Sequence, residues 1–600
     1  MADTHDFSNP WRAVYEWPMA GAWFGASFLT LAVATALPVP AMMAAGMALT
    51  TGGMGAWRTM QAIKRREARD RIRYNKHEFI DFDTFVKIAR KAAQENAFWL
   101  GKGYRWTDVE ANRMYALICA GLTQTIDSSD TEGDKEGSPW IHGLAEEVDL
   151  FADLGILVGH TLLAGTTRVG KTVMLILLIC QAIVRGEPVI VVDPKGDKRM
   201  IRAVRRMCEL LEVDFLYFHP AHPEESVCID PLRNWNRKTE LASRIAALIP
   251  SETGVDPFTA FGWKTLNDIV NGLIITGVRP NLVQLRRYIE NGPDDLVVRA
   301  LRAHFKDRVP EWEARSAGFV KAFKGDTLSA YIAFYKEIVI HEAPSVDLDG
   351  LVSTYEHNRE HFQKMVAALI PILSMLTSDP LTDLLSPDMA PGHNRRVTDI
   401  ARSIRSGSVL YVATDSLADA TVGSAIGSII MADTTAVAGD RYNYGDESDK
   451  PVNVFIDEAA EVINVPTIQL MNKGGGANFR VTIATQTFAD FESRMGDKAK
   501  ATQVLANTNN KIMLRVIDTE TQQYFTDSIP QIKARMMMIR YGHNVMPNIH
   551  EEYSASYQEQ AQFEDADLIP SALLGELCKL HYFARLAGGR TLKGRVPILR

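Results

Sequence analysis

Eight consecutive residues, Gly165-Thr166-Thr167-Arg168-Val169-Gly170-Lys171-Thr172, fit the pattern G-x-x-x-x-G-K-[ST] at every fixed position. The spacing has a chemical reason. Two glycines let the backbone curl until its N–H groups face a phosphate chain, and a helix N-terminus behind them adds partial positive charge. Lys171 is then placed for the β- and γ-phosphates of ATP, and the Thr172 hydroxyl for Mg²⁺. A metal held this way needs a second carboxylate. The run Val452-Asn453-Val454-Phe455-Ile456-Asp457-Glu458 reads as an apolar strand ending in two acids. Asp457 is expected to orient the magnesium shell and Glu458 to polarise the attacking water. A third strand, Arg480 to Thr485, ends in Gln486, which alone reads as a plain loop residue and beside a P-loop as an amide that could sense the γ-phosphate.

These groups need a scaffold. Thr161 to Ala164 reads as a buried strand, Val173 to Val184 as a buried helix too short to span a bilayer, and Val189 to Val192 as the next parallel strand of a βαβ unit. The P-loop and Asp457 stand nearly half the chain apart, which implies an inserted domain. Residues 236–390 have helical periodicity and little strand-like alternation, and residues 391–600 return to apolar strands flanked by helices. The expectation is an α/β fold, a P-loop nucleotide-binding domain of residues 151–235 and 391–600 interrupted by an all-α domain. Residues 61–150 read as a helical juxtamembrane segment, and the polar stretch Asp127 to Gly137 as a loop.

The N-terminus has a different character. No charged residue occurs from Trp17 to Trp57, and Pro38 and Pro40 divide the run. Each half approaches the ~20 residues that cross a bilayer. Residues 1–60 are therefore expected to form a transmembrane hairpin, spans 18–37 and 39–57. Arg58, Lys64, Arg65, Arg66, Arg69, Arg71, Arg73 and Lys76 follow, which places that side and both termini in the cytoplasm. The net charge of −8, from 65 Lys+Arg against 73 Asp+Glu, gives no bulk electrostatic case for binding nucleic acid. The five cysteines are scattered without metal-site or redox spacing.

Taken together, Gly165 to Thr172, the turn Asp193-Pro194-Lys195-Gly196-Asp197, the strand ending in Asp457-Glu458, Ala484-Thr485-Gln486 and the closing stretch Gly588 to Arg595 resemble the type IV coupling proteins of conjugation, the TraD/TraG group. The resemblance implies a RecA-like motor domain related to FtsK, ATP and Mg²⁺ as cofactors, and a two-span anchor in the inner membrane. It also implies a homo-hexamer that takes DNA and links the relaxase to a type IV secretion channel. Single-stranded DNA is the expected cargo. An FtsK-type translocase on double-stranded DNA and an ATP-switched docking scaffold are the alternatives. Some relatives place an arginine that acts in trans after the acidic strand. Here that stretch reads Lys473-Gly474-Gly475-Gly476-Ala477-Asn478-Phe479-Arg480, and Arg480 is the expected candidate, with Lys473 and Arg168 as competitors.

Overall fold

A computed structural model describes residues 13–73, 77–119, 121, 123, 136–249, 257–387, 395–445, 450–545 and 553–600. Lys76 and residues 127–135 of the polar stretch lie outside them. The strands are β1 (Phe79–Ile80), β2 (Ala97–Arg105), β3 (Val148–Asp153), β4 (Thr161–Ala164), β5 (Val189–Asp193), β6 (Phe215–Phe218), β7 (Cys228–Ile229), β8 (Val397–Thr398), β9 (Val409–Ala413), β10 (Val452–Ile456), β11 (Phe479–Thr485), β12 (Asn510–Met513), β13 (Gln531–Val545), β14 (Tyr553–Asp567), β15 (His581–Leu586), β16 (Arg590–Arg595) and β17 (Ile598–Leu599).

One 11-stranded sheet organises the body, in the order β3-β2-β16-β15-β12-β4-β11-β10-β5-β9-β6. It is parallel from β12 to β6 and antiparallel from β12 outward to β3. Side chains alternate between the two faces, as a period of two requires. Leu162, Ile190, Val192, Leu410, Val454 and Ile483 enter one core, and Leu163, Val189, Val191, Tyr411 and Phe455 enter the other. The helix Lys171–Val184 packs on the second face and is buried along nearly its whole length. The helix Ala420–Tyr444 is long and apolar enough to cross a membrane but is mostly buried in the first core.

Two expectations change. Strands β4 and β5 are not neighbours, because β11 and β10 lie between them. The βαβ connection therefore crosses two strands rather than closing a minimal unit. Residues 61–150 are not simply helical either: β2 and β3 extend the sheet. The run Ala97-Phe98-Trp99-Leu100 is aromatic and apolar, which suits a buried strand, and a register shift between Trp99 and Lys102 passes Gly101.

Between β7 and β8 the described residues contain helices and no strand, from Lys238 to Leu385. The segment leaves and returns through a parallel two-stranded pairing, Cys228 beside Val397 and Ile229 beside Thr398. Arg244 at its base forms a buried ion pair with Asp433 of the Ala420–Tyr444 helix at 2.8 Å.

At the N-terminus, α1 (Glu16–Ala36) and α2 (Ala41–Arg73) pack antiparallel. Ser27 Oγ donates to the Ala48 carbonyl at 2.8 Å, and Phe24 lies so close to Gly55 that a Cβ there would meet the ring at 2.9 Å. α1 has the length and hydropathy of a membrane span. α2 does not: glycine and threonine dilute its apolar half, and it runs on into the basic segment. Arg65 on that basic stretch pairs with the buried Glu16 of α1 at 2.9 Å. No disulfide joins any of the five cysteines.

Candidate nucleotide site

The sheet order decides what meets at the site. The P-loop follows β4, Gln486 follows β11 and Asp457 follows β10, three adjacent parallel strands in register. Their C-terminal ends thus present loop, amide and acids side by side, where ligands bind in such sheets. The P-loop turn depends on special backbone. Gly170 caps the following helix at φ +118°, and a Cβ there would meet Leu580 Cδ2 at 2.7 Å. Arg168 stands exposed at the tip with φ +63°. Val169 points the other way and is buried against Leu514 and Leu580, which explains the bulky residue before Gly-Lys.

A cleft of about 580 Å³ opens over these ends, within the range of small-molecule sites. Thr166, Thr167, Arg168, Gly170, Lys171 and Thr172 line it, opposite Asp457 and Glu458. Two of the eight loop residues are turned to other work. The Gly165 N–H donates to the Thr485 carbonyl at 3.3 Å and the Thr166 N–H to the Arg515 carbonyl at 2.9 Å, so these amides hold the loop to the sheet.

Charged groups converge inside. Lys171 Nζ donates to the Gly165 carbonyl at 2.7 Å and stands 3.8 Å from Glu458 Oε1. Gln486 Nε2 donates to the same Oε1 at 3.0 Å. Glu458 has φ +42°, a left-handed conformation that costs a non-glycine residue roughly 1–2 kcal/mol. The adjoining Asp457 Oδ1 accepts the Glu458 N–H at 3.0 Å, which helps to hold that turn.

Residues 451–578 match the family profile described as the TraM recognition site of TraD and TraG. No curated protein matches the chain by sequence. Among solved structures, the bacterial conjugative coupling protein TrwBdeltaN70, in an unbound monoclinic form, matches with a TM-score of 0.50 at 14% identity. The match covers 84% of this chain and 96% of that one. The chain has the fold of a conjugative coupling protein. TrwB in complex with the non-hydrolysable GTP analogue GDPNP matches at 14% identity over 74% of this chain and 87% of its own, with a TM-score of 0.47. TrwB in complex with ADP and Mg²⁺ matches at 16% identity over 74% and 86%, with a TM-score of 0.43.

Within this coupling-protein fold, Arg480 is not brought to the cleft of its own chain, whereas the contact expected of it is to a neighbour's. It opens β11, while Gln486 follows the same strand at its far end. At ~3.3 Å per residue the two edges are about 16–20 Å apart. Arg480 instead pairs with Glu187 at 3.1 Å, in a network with Arg185 and Asn453, and both partners are nearly buried. The in-chain carboxylate gives the guanidinium a structural partner on the opposite edge of the sheet. Lys473 is exposed at the end of the helix Val465–Lys473 and does not line the cleft.

The residue that sequence reasoning missed is Lys195. Its Nζ lies 2.6 Å from Glu458 Oε1. The turn after β5 puts it there. Asp193 accepts the N–H groups of Lys195 at 3.0 Å and Asp197 at 2.7 Å, and Tyr411 donates its hydroxyl to the same carboxylate. The signal was present in the run Asp193 to Asp197, but its role depends on β5 lying beside β10.

Burial, reinforced by the charges of Asp193 and Glu458, pushes the Asp457 carboxyl up to about 7, while Lys171 and Lys195 oppose the rise. Burial also lowers the Lys171 ammonium, against the pull of Glu458 and Asp457. A buried acid that resists ionisation beside a cation-lined cleft fits a divalent metal, which would stabilise the carboxylate form.

Proposed function

We infer that this protein is a Mg²⁺-dependent ATP hydrolase that couples a relaxase–DNA complex to a type IV secretion channel and drives single-stranded DNA through it. The observation that carries the catalytic half is the meeting of Lys171, Gln486 and Glu458 at one carboxylate oxygen above a P-loop. Lys171 and the loop from Thr167 to Thr172 would hold the phosphates, and Thr172 with Asp457 would hold the metal. Bound Mg·ATP supplies the electrophilic phosphorus and neutralises the charge that builds on its oxygens. Glu458 takes the proton of the attacking water, and Gln486 fixes that carboxylate by its amide. A base so placed serves turnover, which a pure docking switch does not need.

The coupling half rests on the fold and on the match of residues 451–578, whose description names recognition of TraM. On this reading residues 1–60 anchor the chain in the inner membrane with both termini in the cytoplasm, and 61–150 join the anchor to the motor. Residues 151–235 and 391–600 form the motor, 236–390 the all-α domain, and six copies form a ring around DNA. Helix α1 has the length and hydropathy of one span of such an anchor, and the second span rests on the uncharged run of residues 39–57. Steady-state ATPase of the purified protein, alone and with single- or double-stranded DNA, tests the proposal. Stimulation by single strands is expected. Stimulation by duplex alone would transfer the reading to an FtsK-type translocase, and no hydrolysis under any condition would overturn it.

A further inference from the structure

Arg168 and Arg199 line the cleft, and a lysine of the same chain, Lys195, reaches the Glu458 carboxylate there. We propose that Lys195 is a γ-phosphate-responsive lysine: in the empty site it engages Glu458, and when a nucleoside triphosphate enters it transfers to the terminal phosphate and frees the base. The inference rests on the nucleotide-site reading above and deepens it.

Four observations support the exchange. Glu458 Oε1 accepts from both Lys195 Nζ at 2.6 Å and Gln486 Nε2 at 3.0 Å. A carboxylate oxygen offers two lone-pair directions, so Oε1 is filled while both donors stay, and only Oε2 is left for a proton from water. Departure of one donor frees Oε1 and makes the carboxylate a stronger base. Gln486 is a neutral amide, whereas Lys195 carries the charge that a phosphate attracts. Second, Lys195 is the more exposed partner. Its side chain is 37% exposed, against 10% for Glu458 and 8% for Lys171. Third, its backbone is held. Asp193 accepts the Lys195 N–H, the Ser416 N–H donates to the Pro194 carbonyl at 2.8 Å, and Gly196 takes the left-handed φ of +64° that closes the turn. The four-carbon stem alone can therefore swing between two positions. Fourth, Lys195 lines the same cleft as Lys171 and Thr172, so the second position lies within the nucleotide site.

The exchange predicts discrimination. A diphosphate has no terminal phosphate to draw Lys195 off, so ADP binds with the base still engaged. A triphosphate releases it. The lysine would then act in cis where other rings use a neighbour's arginine.

The test is a double-substitution cycle read by calorimetric binding of Mg·ADP and the non-hydrolysable Mg·AMP-PNP to the full-length protein. Lys195→Met is expected to weaken AMP-PNP about tenfold, the scale of one charge-assisted hydrogen bond, and to leave ADP within about twofold. Lys195→Arg keeps the charge and is expected to recover part of the gap. Glu458→Gln weakens the hold on Lys195, so it is expected to tighten AMP-PNP and not ADP. That tightening should vanish when Lys195→Met is also present. Simple relief of repulsion between Glu458 and phosphate would persist in both backgrounds, and equal tightening with and without Lys195 overturns the proposal. So does an equal loss of ADP and AMP-PNP in Lys195→Met, which would make the residue a support for the loop. Wild-type protein that binds neither nucleotide would overturn the underlying site reading. Wild-type protein that binds both, with Lys195→Met indistinguishable from it, would overturn this inference alone.

Discussion

Replacing Asp457 with asparagine removes a buried negative charge and keeps the shape and the acceptor that holds the Glu458 N–H. The size of the effect follows from the carboxyl's environment. Its ordinary value of 3.8 is raised to about 7, first by burial and then by Asp193 and Glu458. Each unit corresponds to ~1.36 kcal/mol, so the ionised form costs up to about 4 kcal/mol in the empty site. The sign follows from proton linkage. Between about pH 4 and 7 the folded protein keeps a proton that the unfolded chain has released, so wild-type stability falls as pH rises through that window. The cost is about 1.5 kcal/mol at pH 5 and about 4 kcal/mol at pH 8. The asparagine variant pays neither. Its advantage should therefore grow by about 2.5 kcal/mol between pH 5 and pH 8, measured by urea or thermal unfolding in metal-free buffer. The difference between the two proteins cancels the titrating groups that do not couple to Asp457, while Asp193, Glu458, Lys171 and Lys195 respond to its loss. Adding Mg²⁺ and ADP at pH 8 should reverse the order, because the metal compensates the carboxylate and the amide serves it poorly. A difference flat from pH 5 to 8, or an asparagine variant that is the less stable at pH 8 without metal, would refute the assignment of Asp457 as a strained metal ligand.

Lys171→Ala should abolish ATP hydrolysis in a folded protein, as judged by unchanged circular dichroism. Normal turnover would remove the P-loop from the mechanism. Glu458→Gln should bind ATP and slow hydrolysis by ~10²–10⁴-fold, the usual contribution of a general base, in a single-turnover assay. Arg480→Ala should cost about 1–2 kcal/mol of stability, since Glu187 loses one charged partner but keeps Arg185 and Asn453, with turnover per folded molecule preserved. Lost turnover at unchanged stability would restore Arg480 as a trans arginine. A reporter fused after residue 60 should lie in the cytoplasm, and a periplasmic signal would overturn the two-span anchor.

What could be read from the sequence was local backbone chemistry. Gly165, Gly170, Lys171 and Thr172 sit within eight residues, and the turn they demand leaves few alternatives. The acids after β10 are legible because a P-loop calls for a second acid on the metal and this apolar strand ends in two carboxylates. Less legible were features fixed by which strands become neighbours. β2 lies in a stretch that is helical on both sides, and its partner β16 is nearly five hundred residues away. Lys195 gains its role only because β5 lies beside β10. Arg480 makes the same point in reverse. Its residue type and its place after the acidic strand suggest either a contact to a neighbouring subunit's γ-phosphate or an ordinary strand-end arginine. Yet Gln486 and Arg480 flank one strand, and in a parallel sheet only the C-terminal end of a strand faces the nucleotide. Arg480, near the start of the strand, therefore lies on the far edge from its own chain's nucleotide site, where Glu187, just before β5, supplies its partner, and a contact to a neighbouring subunit's phosphate is decided by the activity of Arg480→Ala. Charge and spacing nominate a residue for a site, and the direction of the strand that carries it decides which edge of its own sheet it reaches.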